Sequence, residues 1–85
     1  MEDLRAALKL QGTLVEAWRG LGDVEGRRAR RQVLLAQDAE DAFASALEAY
    51  DQALALRPTD ADLLQCRGAL RLDQRLLRAG LHAAA

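Results

Sequence analysis

Apolar residues recur along this chain at spacings of three and four, the period of an amphipathic helix and not of a half-buried strand. The clearest run is A-L-E-A-Y-D-Q-A-L-A-L-R-P, from Ala46 to Pro58. Ala46, Tyr50 and Ala53 share one helical face, Leu54 and Leu56 follow, and Pro58 stops the helix. Alanines let a neighbouring backbone approach while the ring fills the gap left between them. The whole pattern predicts an all-α chain of four helices, over about 2–11, 14–36, 39–57 and 60–79.

Local signals supply the boundaries. Glu2 and Asp3 suit the positive end of a first helix, which carries Leu4, Ala7, Leu8 and Leu10 and ends at Gly12. Thr13, with Glu16 three residues on, reads as a capping box for the second helix, whose inward stripe is Leu14, Ala17, Trp18 and Leu21. Gly20, Gly22 and Gly26 each cost about 1 kcal/mol relative to Ala inside a helix, which leaves open a break at Gly22-Asp23 or a bend near Gly22 or Gly26; the favoured reading is one long helix, since no Pro or polar loop comes before Gln37-Asp38. Asp38 reads as the cap of the third helix, with Phe43, Ala46, Leu47, Tyr50, Ala53 and Leu54 inward. Thr59 and Asp62 read as the cap of the last helix, which buries some combination of Leu63, Leu64, Leu70, Leu76 and Leu77. Gly80 suits a C-terminal cap, and Leu81 to Ala85 are expected to fray.

Composition sharpens this picture. There is no Ile, and three Val and two Thr are the only β-branched residues, a mixture that favours helix over strand. Eighty-five residues make a single small domain with a thin core. The net charge of −1 supplies no field to draw in nucleic acid or anionic lipid, so neither nucleic acid nor membrane is expected as a partner. No stretch approaches a membrane span or reads as a signal peptide, and the one Cys suits a reducing compartment, so a cytoplasmic location is expected.

An internal repeat lies beneath the helix pattern. A-L-K-L-Q-G-T at 7–13 is answered by A-L-A-L-R-P-T at 53–59, and the same offset of 46 aligns Trp18 with Leu64 and Gly22 with Gly68. A glycine here would let two helices of a pair pack closely. The tract Trp18-x2-Leu21-Gly22 and the run A-x3-Y-x2-A-L-x-L-x-P resemble the opening and the second helix of a tetratricopeptide unit, a helical hairpin of about 34 residues. At an offset of 46 the hairpin would be unusually tall, and Glu25 stands where the family has an aromatic. The resemblance implies about one and a half to two repeats stacked as a right-handed solenoid fragment, with apolar first and last helices left open.

A unit of that kind is a protein–protein interaction scaffold, not an enzyme. By the resemblance, its first helices would line a groove for a protein or peptide, presenting Glu16, Arg19 and Asp23 from one repeat and Asp62, Gln65 and Ala69 from the next. The family's clamp for a terminal carboxylate is missing, since the chain has no Asn and its one Lys is Lys9. A second function is homo-oligomerisation, with the apolar terminal helices docking on another copy; the open apolar ends predict self-association, whether the chain is cut from a longer solenoid or copies pair to bury them. Arg27, Arg28, Arg30 and Arg31 form a basic face, expected to be solvated or paired with acids of the third helix, where residues 43–48 come level. Cys66 and His82 stand alone and suit no metal site, and no carboxylate pair or phosphate loop supports catalysis, so no cofactor is expected.

Overall fold

A computed structural model describes residues 2–80, with the side chains of Leu10 and of residues 12–80. It contains three helices and, among the described residues, no strand: α1 (Glu2–Leu34), α2 (Glu40–Leu56) and α3 (Ala61–Arg78). The expected first and second helices are therefore one. Gly12 and Thr13 sit mid-helix instead of at a boundary, because a glycine without a following proline costs a helix only about 1 kcal/mol. Gly20, Gly22 and Gly26 likewise lie within the unbroken α1. The side chains of Leu4, Ala7 and Leu8, and the tail over 81–85, lie outside the described side chains and residues.

The N-terminal caps of α2 and α3 each lie one residue beyond expectation, and α1 ends at Leu34, two residues before the expected 36. The α2 cap is Ala39, which has no capping side chain; Asp38 instead accepts the Glu40 N–H at 3.0 Å through Oδ1. Asp60, not Thr59, caps α3 and accepts the Leu63 N–H at 3.1 Å. Gly80 follows the last helical residues in the left-handed region, at φ 76°, as expected of a terminal glycine. At the end of α1, the Gln37 N–H reaches the Gln32 carbonyl at 2.8 Å and the Ala36 N–H reaches Val33 at 3.1 Å. This double closure normally places glycine in the left-handed position, yet Ala36 occupies it at φ 56°.

Contacts define the arrangement. Gly22 lies against Tyr50 and Gly12 near Arg57, so α1 and α2 run antiparallel. Arg67 meets Asp51 and Arg78 meets Glu40, making α2 and α3 antiparallel. Gly26 meets Leu70 and Arg30 meets Asp73, so α3 returns parallel to α1. The molecule measures 57 × 20 × 14 Å, with a radius of gyration of 15.2 Å. A compact domain of this length would have about 12 Å; α1, about 50 Å long, accounts for the excess.

The core is built from small side chains. Ala42, Phe43, Ala46, Ala49, Tyr50, Ala53 and Leu54 are buried from α2, with Leu47 half-buried, as the apolar pattern predicted. From α3 it takes Leu63 and Leu70, with Leu76 and Leu77 half-buried and Leu64 exposed. From α1 it takes Val15, Gly22, Gly26 and Ala29, with Trp18 half-buried. The expected α1 stripe is thus displaced: Leu14, Ala17 and Leu21 are exposed. The alanine-rich face of α2 demands a close neighbour, and α1 meets it with Gly22, while Gly26 faces Leu70 of α3. A Cβ on Gly22 would lie 2.8 Å from the Tyr50 ring, and one on Gly26 would lie 3.3 Å from Leu70.

The repeat is not mirrored in the fold. Ala7–Thr13 is helix interior, whereas Ala53–Thr59 is a helix end and turn. By the offset of 46, Trp18, Gly22 and Gly26 correspond to Leu64, Gly68 and Leu72, all exposed, and no described atom lies within 4 Å of a Cβ placed on Gly68.

The glycines should separate in a thermal-denaturation series. Gly20→Ala and Gly68→Ala enter open space and should each stabilise by up to about 1 kcal/mol through helix propensity. Gly22→Ala must displace a buried ring and should destabilise by about 1–2 kcal/mol despite the same propensity gain. Ala36→Gly relieves the left-handed cost and should add about 1 kcal/mol.

Candidate functional site

Between α1 and α3 lies an open cleft of about 560 Å³. Its α1 wall carries Asp23, Gly26, Arg27 and Arg30, four positions at helical spacing; its α3 wall carries Gln65, Cys66, Ala69 and Leu70. Tyr50 of α2 forms the floor. The cleft exists because α1 and α3 both pack on α2 and come together where Gly26 meets Leu70 and Arg30 meets Asp73.

The floor is fixed chemically as well as by packing. The Tyr50 hydroxyl donates a short hydrogen bond to Asp23 Oδ1. Burial and the adjacent Asp23 carboxylate hold the phenol well above its ordinary pKa, with Cys66 adding to the effect. Arg30 Nε is 3.1 Å from Asp73 Oδ2, which closes one end of the cleft. Arg27 contacts its own helix, donating from Nε to the Asp23 carbonyl at 3.4 Å. The cleft therefore offers a guanidinium, an amide and an aromatic floor beside apolar Ala69 and Leu70.

Of the residues the sequence placed in a groove, Asp23 and Gln65 meet across this cleft, together with Ala69. Glu16 and Asp62 are exposed and Arg19 is half-buried, and none of the three lines it. The basic tract divides instead of forming one face. Arg27 and Arg30 join the cleft, Arg28 pairs with Glu25 of its own helix at 3.2 Å, and Arg31 is exposed. The cross-helix partner of the tract is Asp73 on α3, not an acid of α2; Glu40 and Asp51 of α2 are engaged by Arg78 and Arg67. Continuing the helical period from Asp23 by four and seven residues would have found Arg27 and Arg30 as groove residues. Cys66 is half-buried at the cleft, not enclosed.

Among the described residues no group of three or more His, Cys, Asp or Glu side chains could hold a metal ion, and no helix is long and apolar enough to cross a membrane. Comparison of the chain with family models, curated proteins and solved structures finds no match in any of the three.

The chain has a single Tyr, so its phenol can be titrated directly by ultraviolet absorbance. With the folded-state pKa raised, the stabilisation is complete below the unfolded value of about 10 and is lost as pH rises above it. The thermal midpoint should fall above that pH, and Tyr50→Phe should lack this component of the fall. A phenol that ionises normally while the chain remains folded would contradict the buried pairing with Asp23.

Proposed function

We propose that the protein is a tetratricopeptide-like interaction module, without catalytic activity, that holds a peptide segment of another protein in the α1–α3 cleft. The observation that carries this reading is the cleft itself: two parallel helices spread over a third, with unlike polar groups facing a common space above an anchored aromatic floor. Its volume of about 560 Å³ lies within the range of ligand-binding clefts, roughly 300–1,000 Å³. The close pairing of Gly22 with Tyr50 supports the family reading, since it joins the two motif segments that suggested it. The length of α1 and the solvent exposure of Gly68 are departures from the family pattern.

The chemistry of the walls favours a peptide with a carboxylate placed to meet Arg27 and a small apolar side chain against Ala69 and Leu70. Selection from a displayed random-peptide library on the intact chain tests this. Ala69→Arg places a bulky charge in the cleft without touching the core, and selected peptides should bind it at least about tenfold more weakly, or about 1.4 kcal/mol. Glu48→Arg, on an exposed position of α2, should leave binding unchanged. Equal binding to wild type and Ala69→Arg, or no enrichment at all, would sink the cleft as the binding site.

A further inference from the structure

Four large apolar side chains stand exposed along one flank of α1: Leu10 at 60%, Leu14 at 43%, Leu21 at 45% and Val24 at 53%. With exposed Ala17 they occupy positions 10, 14, 17, 21 and 24, alternating steps of four and three. That alternation is the narrow seam of a two-stranded coiled coil, not the broader stripe of a helix packed on a globular core. The contacts of α1 with α2 and α3 are made elsewhere, by Val15, Gly22, Gly26 and Ala29. On the helical wheel the seam lies about 150° round from the cleft residues Asp23 and Arg30, so it is a second surface, independent of the peptide reading.

We propose that this seam docks a second copy of the chain, α1 against α1 and antiparallel. The charges that continue the seam decide the direction. The next positions in the series, 28 and 31, are Arg28 and Arg31. A parallel pair would set each of these against its own counterpart, and like charges at a helix seam repel. An antiparallel pair with Leu14 level with Ala17 of the second copy, and Leu21 level with Leu10, sets apolar residues against apolar residues along the seam. The same register brings Arg28 level with position 3, in the stretch whose sequence is Glu2-Asp3. Charge complementarity thus selects another copy of this helix as the occupant. Because each residue pairing occurs twice about a two-fold axis, the contact closes as a dimer and does not propagate.

Sedimentation equilibrium of the intact chain, from micromolar to millimolar concentration, should show a monomer–dimer equilibrium that ends at twice 9.3 kDa. Leu14→Glu/Leu21→Glu should be monomeric throughout while keeping wild-type helicity, since both positions are already exposed. Ala69→Arg should dimerise normally, so failure of the cleft and failure of the seam are read separately. Direction is read in a Cys66→Ser background under mild oxidation. Chains bearing Leu10→Cys and chains bearing Leu21→Cys should cross-link when mixed and not alone. A strict monomer, an undiminished dimer in the double glutamate variant, or like-to-like cross-linking would each overturn the proposal. So would assembly beyond the dimer, which would mean that the seam meets a different face of the neighbouring copy.

Discussion

The structure depends on one close approach, in which the Tyr50 ring occupies the space that a side chain at position 22 would fill. Two consecutive residues of α1 make this possible by opposite means. Gly22 yields the room, and Asp23 accepts the phenol hydroxyl that stands over it. The ring cannot slide along the groove without losing that bond in a partly buried place, where an unpaired hydroxyl or carboxylate is costly. The register of α1 on α2 is therefore set at Tyr50, and the alanines above and below it can pack only as that register allows. Tyr50 also floors the cleft, so the same contact that fixes the hairpin fixes the depth of the candidate binding site.

The two walls of that cleft are not held equally. The α1 wall is tied to α2 along a run of buried small residues from Val15 to Ala29. The α3 wall has Leu63 and Leu70 as its fully buried anchors, supplemented by ion pairs from Asp73, Arg67 and Arg78 to the other two helices. Exposed pairs of this kind contribute about 0–1 kcal/mol each and weaken with salt. Few apolar contacts and solvated polar ones mark the part of a fold that opens first. The cleft thus has a fixed wall and a lightly held one, so that a change in its width falls mainly on α3.

How much of this was legible in the sequence varied with the physics behind each feature. The face of α2 was readable because large and small apolar residues alternate at one spacing and proline ends the run. The face of α1 was not, because hydropathy ranks Leu14 and Leu21 as core and gives no weight to glycine, whose value here is the absence of volume. Position 22 was recognisable as a close-packing glycine, but its consequence for the rotation of the whole helix was not. The duplicated phrase misled for a related reason: Pro58 forces a helix end, whereas Gly12 only lowers the cost of one, and helix propagation through it wins. In the cleft, Asp23 and Gln65 followed from the family resemblance, while Arg27 and Arg30 were hidden inside a charge run that looked like a single basic face.

The exposed leucines of α1 and the buried glycines are two results of one choice. A helix presents a limited arc to each neighbour, and α1 must bring Gly22, Gly26 and Ala29 inward if the alanine-rich α2 is to approach closely enough for dispersion contacts to count. Rotating those small residues inward carries Leu10, Leu14, Leu21 and Val24 to the flank. A bulkier residue at position 22 would have favoured the opposite rotation, with leucines in the hairpin interface and a polar outer surface, at the expense of the Tyr50 contact. The apolar surface left on the outside is therefore a direct product of how the inside packs. It persists on a monomer only as exposed area whose burial is worth about 25 cal/mol per Å².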